Sequence, residues 1–162
     1  MRDIALGIVL LLSIIGVQYA VRYFRQRQAV GLWLKANEAL KGNRFEEAER
    51  LLRKCLSISP LAPTIRSALA ATLMRLNRMD EAEKEFKSLV ALAPRQAEGH
   101  LLLGYFYAVQ SPNRDKEAIA SFAHALEHAP KLRENLRNDP RLTAMRDHPD
   151  FQSLIAEPQA EK

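Results

Sequence analysis

Residues 43–60, NRFEEAERLLRKCLSISP, decide the fold of this chain because two further versions of them follow. The second version, NRMDEAEKEFKSLVALAP, occupies residues 77–94, and the third, NRDKEAIASFAHALEHAP, occupies residues 113–130. Aligned on Ala48, Ala82 and Ala118, the copies are 34 and 36 residues apart, and the two extra residues fall within the stretch 110–115. A period in this range predicts a solenoid of stacked helical hairpins.

Each unit is predicted to contain two helices. In the second unit, the spacing of the apolar residues predicts helix A over 63–76 and helix B over 80–92, joined by a tight turn at Asn77-Arg78. The proline that follows helix B, Pro94 in this unit, ends that helix and begins the next unit. Small residues such as Ala82 and Gly104 are expected where two helices approach closely.

The pattern resembles the tetratricopeptide repeat (TPR) family over residues 29–130, as repeats 29–62, 63–96 and 97–130. The third repeat carries the family signature at Leu103, Gly104, Tyr107, Ala118, Phe122, Ala125 and Pro130. The second carries it at Leu69, Ala70, Leu73, Ala82, Phe86, Leu89 and Pro94. The first is more degenerate, with Ala36, Ala39, Ala48, Leu52, Cys55 and Pro60, and has Lys35 where leucine is usual. The resemblance implies an all-α, right-handed superhelical solenoid of three hairpins.

The N-terminal segment is predicted to be a transmembrane helix. Residues 4–21, IALGIVLLLSIIGVQYAV, contain no charged side chain, and as a helix they would be about 27 Å long, close to the thickness of a bilayer core. A cleaved signal peptide is the alternative, but the best cleavage position has Gln18 where a small residue is needed. We therefore expect a retained anchor.

The segment 22–28 that follows the predicted span is basic. It carries Arg22, Arg25 and Arg27, and residues 1–35 hold five basic and one acidic side chain, which accounts for +4 of the net charge of +5. The positive-inside rule places this flank and the rest of the chain in the cytoplasm, so we expect a single-pass membrane protein. The resemblance to membrane-anchored TPR proteins implies a bacterial inner membrane. Since the basic excess lies at the membrane flank, the composition does not favour binding to nucleic acid.

The C-terminal residues are predicted to cap the solenoid. Asp139-Pro140 and His148-Pro149 are typical helix starts, with proline at the first helical position. We expect capping helices within 131–157 and a disordered tail at 158–162. The apolar residues that would cover the open end of the last repeat are Leu136, Leu142, Met145, Phe151, Leu154 and Ile155.

The resemblance implies a concave groove, lined by the A helices, that binds a protein or peptide. Placed by register, the groove candidates are Trp33, Asn37 and Lys41, then Ser67, Ala71, Met74 and Arg75, then Leu101, Tyr105 and Ala108. TPR co-chaperones of Hsp70 and Hsp90 grip a carboxylate with five Lys, Asn and Arg side chains. At those five positions only Asn37 matches; the others are Trp33, Ala68, Glu98 and Leu102, so no such clamp is predicted.

Catalysis, cofactors and metals are not predicted. The string HALEH, from His124 to His128, matches the zinc-peptidase pattern H-x-x-E-H, but Ala125 already occupies a core position of the repeat and explains this helix without metal. The single cysteine, Cys55, excludes an internal disulfide and lies in an apolar register, so we expect a buried thiol.

The sequence as a whole predicts a membrane-anchored TPR adaptor or scaffold that recruits or helps assemble partner proteins. One alternative puts the same domain on the far side of the membrane, as an assembly chaperone for exported proteins. A second is a zinc enzyme that uses His124 and His128, and self-association of the arrays is a third.

Overall fold

The computed structural model describes residues 2–110 and 112–156, and of residues 2–12 it describes the backbone only. All regular structure in this part of the chain is helical. The helices are α1 (Arg2–Lys41), α2 (Phe45–Ile58), α3 (Pro63–Arg75), α4 (Met79–Leu92), α5 (Ala97–Ala108), α6 (Asp115–His128), α7 (Leu132–Asn138), a 3₁₀ helix (Pro140–Met145) and α8 (Pro149–Ile155). The predicted hairpins are present, and α3 and α4 begin and end within one residue of their predicted limits.

The first helix is one continuous element of 40 residues. It contains the predicted span 4–21, the basic segment 22–28 and helix A of the first repeat, although the sequence suggested three separate parts. Among the described residues, no helix has the length and apolar character required to cross a bilayer. The side chains of residues 4–12, which belong to the predicted span, lie outside that description.

The tight turns between the helices of the first two repeats depend on asparagine. Asn43 has a φ of 56° and Asn77 a φ of 58°, a left-handed conformation that asparagine tolerates better than most residues.

The next residue in each copy is an arginine, and its side chain pairs with a glutamate three residues later. The Arg44–Glu47 distance is 2.7 Å. The Arg-x-x-Glu pair recurs in every copy and places a carboxylate in the first turn of helix B, where the helix dipole favours it.

The chain divides into two compact units, Met1–Asn77 and Arg78–Lys162. In the first, α1 packs on α2 and α2 on α3. Small side chains of α1 are fully buried, such as Ala36 and Ala39, and they face a core that includes Leu52 and Cys55. The Cys55 thiol donates a weak hydrogen bond to the Ala29 carbonyl at 3.6 Å, and burial raises its pKa. The predicted buried thiol is confirmed.

In the second unit, α5 packs between α4 and α6. Gly104 of α5 lies against the ring of Phe122, which is fully buried. A Cβ atom at Gly104 would be 2.5 Å from two carbons of that ring. The small residue that the repeat pattern requires here is therefore explained by the approach of an aromatic side chain from α6.

The C-terminal cap packs on α6 as predicted. Leu136, Leu142, Met145 and Phe151 are buried to 1% exposure or less, whereas Leu154 and Ile155 are half-buried. Both predicted helix starts are confirmed. The Asp139 carboxylate accepts from the Arg141 backbone N–H at 2.9 Å, and His148 Nδ1 accepts from the Asp150 N–H at 3.2 Å. The predicted tail, 158–162, lies outside the described residues.

Candidate protein-binding surface

The groove candidates of the first unit lie on α1 and α3. Trp33 and Asn37 are half-buried and Lys41 is exposed; on α3, Ser67 and Met74 are half-buried while Ala71 and Arg75 are exposed. Two of these side chains make local contacts. The Ser67 hydroxyl donates to the Thr64 carbonyl at 3.0 Å, and the Arg75 guanidinium lies 4.9 Å from the centre of the Phe45 ring. The candidates of this unit therefore include two exposed cations, Lys41 and Arg75, and one half-buried amide, Asn37.

The groove candidates of the second unit lie on α5, and the C-terminal cap contacts one of them. Ala108 is buried, with 6% of its surface exposed, and Leu101 is half-buried. The Tyr105 hydroxyl donates to Asp139 Oδ2 at 2.6 Å, and the Arg141 guanidinium lies 3.9 Å from the centre of the Tyr105 ring. Arg141 also pairs with Asp139 at 2.6 Å. The Tyr105 hydroxyl is thus already used within this unit.

The electrostatics of this cluster follow from those contacts. Burial, followed by the hydrogen bond to Asp139, raises the pKa of Tyr105 to about 12. The Arg141 guanidinium, with a smaller contribution from Tyr105, holds the pKa of the Asp139 carboxyl well below its usual range. The carboxylate stays ionised at neutral pH and ties the start of the 3₁₀ helix to α5. The role of Tyr105 as a partner-binding residue stays a prediction.

A second polar cluster joins α4, α5 and the start of α6, and sequence reasoning missed it. Glu83 of α4 accepts from the Tyr107 hydroxyl at 2.9 Å and from the Arg114 guanidinium at 3.2 Å. Arg114 lies 4.5 Å from the centre of the Tyr107 ring and pairs with Glu117 at 2.6 Å. The hydrogen bond from Arg114 is the main reason that the pKa of Glu83 falls to about 2. This cluster joins three helices of the unit.

Three histidines, His100 of α5 and His124 and His128 of α6, lie close together in the second unit. The ring of His100 is 5.3 Å from that of His124 and 6.1 Å from that of His128, measured between centroids. His100 Nε2 contacts the Pro94 carbonyl at 2.9 Å, and His124 Nδ1 contacts Glu127 at 3.2 Å. Within residues 2–110 and 112–156, no group of three or more His, Cys, Asp or Glu side chains has the geometry to hold a metal ion.

The basic flank residues lie on different sides of α1. Arg22 and Arg25 line a cleft between α1 and the end of α2. Arg27 lies 5.9 Å from the centre of the Tyr23 ring and lines a neighbouring surface with Val30 and Leu34; of the lining residues, Gln26 belongs to both. The sequence grouped the three arginines as one flank, and the periodicity of the helix separates them.

These features define an all-helical repeat fold over the described residues. A tetratricopeptide repeat family model matches residues 39–104. The solved structures below share the same helical-repeat fold, and neither comparison indicates a catalytic family. No curated protein sequence matches this chain.

Several solved structures share the fold. MamA MSR-1 C2 is 24% identical over 64% of this chain and 58% of that chain, with a TM-score of 0.55. The Arabidopsis OM64 TPR domain is 20% identical over 80% of this chain and 96% of that chain, with a TM-score of 0.60. The first TPR of Spaghetti (RPAP3), bound to the HSP90 peptide SRMEEVD, is 20% identical over 79% of this chain and 90% of that chain, with a TM-score of 0.58. The chain thus spans just over half the length of the MamA structure.

Proposed function

We propose that this chain is a membrane-anchored TPR adaptor that recruits or helps assemble partner proteins through the concave face of its repeats. The observation that carries the proposal is the pair of exposed cations on the A helices of the first unit, Lys41 and Arg75. Neither side chain is ion-paired among the described residues, and the Arg75 guanidinium lies 4.9 Å from the centre of the Phe45 ring. A related repeat domain of the same fold binds a peptide.

The two cations favour an acidic partner segment. A carboxylate-rich peptide would be attracted to Lys41 and Arg75, and charge complementarity of this kind mainly increases the association rate and the specificity. Asn37 supplies an amide on α1 that can donate and accept hydrogen bonds. At four of the five clamp positions the required residue is absent. We therefore do not expect the partner to be held by its C-terminal carboxylate, as partners of the TPR co-chaperones of Hsp70 and Hsp90 are.

Anchoring would make weak recognition effective. If residues 4–21 cross the membrane as proposed, the binding face is confined to a thin layer next to the bilayer, and a partner in the same membrane meets it at a high effective concentration. The basic flank favours a cytoplasmic location of the repeats. Cleavage by added protease in spheroplasts would instead place them on the far side of the membrane.

The test is a pair of charge-reversal variants of the full chain. Lys41→Glu with Arg75→Glu changes the proposed binding face, and Arg50→Glu with Lys54→Glu makes the same charge change on exposed positions of α2. Partners are crosslinked in native membranes and captured with wild type and both variants. We expect one or more partners to be lost from the first variant and retained by the second. Equal capture by all three proteins would refute recruitment through this face.

A further inference from the structure

A cleft of about 640 Å³ lies between α1 and the C-terminal end of α2, inside the first unit. Three apolar side chains line it, Val17 and Val21 of α1 and Ile58 of α2. Two arginines of α1, Arg22 and Arg25, line it as well. Apolar side chains together with two cations match a molecule that has both a hydrocarbon part and a negative charge.

We propose that this cleft binds the headgroup of an anionic phospholipid, with the phosphate at Arg22 and Arg25 and the start of an acyl chain against the apolar side chains of the lining. The proposal rests on the membrane anchoring of residues 4–21 put forward above. It goes beyond that proposal because an anchor needs no particular lipid, whereas this cleft would select one by charge.

The register of the two helices places the cleft at the right depth. The Cys55 thiol contacts the Ala29 carbonyl, so the last turn of α2 lies beside the residues of α1 that precede Ala29. Ser59, the residue after α2, shares the cleft with Arg25. The turn that follows carries Leu61, whose side chain is 74% exposed. An apolar side chain at this end of the repeats is suited to the interface of the same bilayer that residues 4–21 would cross.

The charges in the cleft favour an anion. No acidic side chain lines it, and among the described residues neither Arg22 nor Arg25 is paired with a carboxylate. The C-terminal end of α2 opposes an anion, but its dipole corresponds to only about half a negative charge. Two full positive charges outweigh it. The Ser59 hydroxyl and the Gln18 and Gln26 amides add neutral donors to the lining.

Arg27 provides a matched control. It lies on the same helix within two turns of both cleft arginines, but it faces the surface of Tyr23, Val30 and Leu34. If the basic flank attracted anionic lipid only through its overall charge, removal of any one of the three arginines would have the same effect. If the cleft binds a headgroup, Arg22 and Arg25 matter and Arg27 does not.

The test uses the full chain in a neutral detergent and two soluble short-chain lipids, dihexanoyl phosphatidylglycerol and dihexanoyl phosphatidylcholine. Binding is measured by native mass spectrometry, with circular dichroism to confirm folding of each variant. We expect wild type to prefer the anionic lipid by about tenfold, and Arg22→Gln and Arg25→Gln each to weaken its binding by about fivefold. We expect Arg27→Gln to change it by less than about twofold.

Three results would overturn the proposal. Equal affinity for the two lipids would show that the cleft does not select an anionic headgroup. Equal losses of affinity in all three arginine variants would show that the basic flank attracts the lipid only through its overall charge. Displacement of the lipid by an equal concentration of glycerol 3-phosphate would identify a site for free phosphate instead.

The anchoring is tested separately, by extraction of cell membranes with alkaline carbonate. Release of the chain would refute the anchoring on which the depth argument depends. Retention in the membrane together with equal affinity for both lipids would refute the cleft alone.

Discussion

Gly104→Ala is expected to destabilise the second unit although alanine is the better helix former. Gly104 lies inside α5, where alanine is favoured over glycine by about 1 kcal/mol. The added Cβ would lie 2.5 Å from Cδ1 and Cε1 of Phe122. That separation is about 1 Å shorter than the optimum for two carbon atoms. The ring would have to move.

Movement of the Phe122 ring is unfavourable because the ring is buried among other side chains. Its side chain is fully buried, and its ring contacts those of Tyr105 and Phe151, with centroids 5.3 Å and 6.2 Å away. Overpacking of a filled core costs roughly 1–3 kcal/mol, and this site belongs at the upper end. After the gain in helix propensity, we expect a net loss of about 2 kcal/mol.

The control is Gly99→Ala in the same helix. A Cβ at Gly99 would be 3.4 Å from the nearest atom, Cα of Val90, which is an ordinary contact. Because Gly99 lies in the first turn, the gain in propensity is reduced, and we expect stabilisation of about 0.5 kcal/mol. The two glycine variants should therefore change stability in opposite directions.

The assay is urea unfolding of the full chain in neutral detergent, followed by circular dichroism, with hydrogen exchange to confirm that α5 and α6 are affected. Phe122→Leu removes the ring that causes the overlap. In that background Gly104→Ala should cost clearly less than it does in wild type. A stabilising Gly104→Ala in wild type, or an unchanged cost in the Phe122→Leu background, would refute the packing argument.

Substitutions at three further positions test other parts of the structure. Glu83→Gln should lower the free energy of unfolding by about 1–2 kcal/mol at pH 7, because the folded pKa is about 2 against an ordinary 4.5 and the pair is partly exposed. Folding lowers the pKa of this carboxyl, so its contribution to the free energy of unfolding is present above pH 4.5 and is lost as the pH falls towards 2. Urea titrations of wild type and Glu83→Gln measure that contribution. The same difference between the two proteins at pH 7 and at about pH 2.5 would exclude a stabilising role of the Glu83 carboxylate. Phe151→Ala should cost about 3–5 kcal/mol, since this ring of the cap is fully buried beside Phe122 of α6. Hydrogen exchange should then rise first in α7 and α8, and rapid exchange throughout the chain would contradict a local effect on the cap. Asn77→Gly keeps the left-handed turn and should shift the unfolding midpoint little. Asn77→Val should lower the free energy of unfolding by about 1–2 kcal/mol, because a β-branched residue resists a positive φ. Equal effects of the two substitutions would show that the φ angle at this turn does not affect stability.

The repeat pattern predicted the helices well because it records packing that occurs three times. The apolar and small positions of one copy can be checked against the other two, so Ala82 and Phe86 of α4 are interpretable before the structure is known, and both are buried. The cap could also be anticipated, since an aspartate or histidine before proline marks a helix start. These features depend on neighbours in the sequence or on the repeat itself.

The polar clusters could not be predicted in the same way. Glu83 and Arg114 are 31 residues apart, and nothing in either local sequence marks them as partners. Tyr105 was assigned to a groove by its register, but its hydroxyl meets Asp139, 34 residues later. The register predicts the direction of a side chain, and only the fold of the following segment shows what it contacts.

The continuity of α1 changes how the proposed anchoring would work. The sequence suggested a basic segment, 22–28, between an anchor and a repeat domain, and the structure has a single helix through all three. A helix rises 1.5 Å per residue, so Asn37 lies about 24 Å along the axis from Val21. If residues 4–21 cross the bilayer, Asn37 and Lys41 keep a fixed distance from it, because a helix does not shorten or extend as a flexible linker does. Such an adaptor would accept partner segments at one height above the membrane. Insertion of two glycines after Gln28 should therefore weaken the capture of a membrane-bound partner. Binding of the same partner segment as a soluble peptide should stay unchanged. Equal loss of both would show that the insertion had damaged the binding face itself.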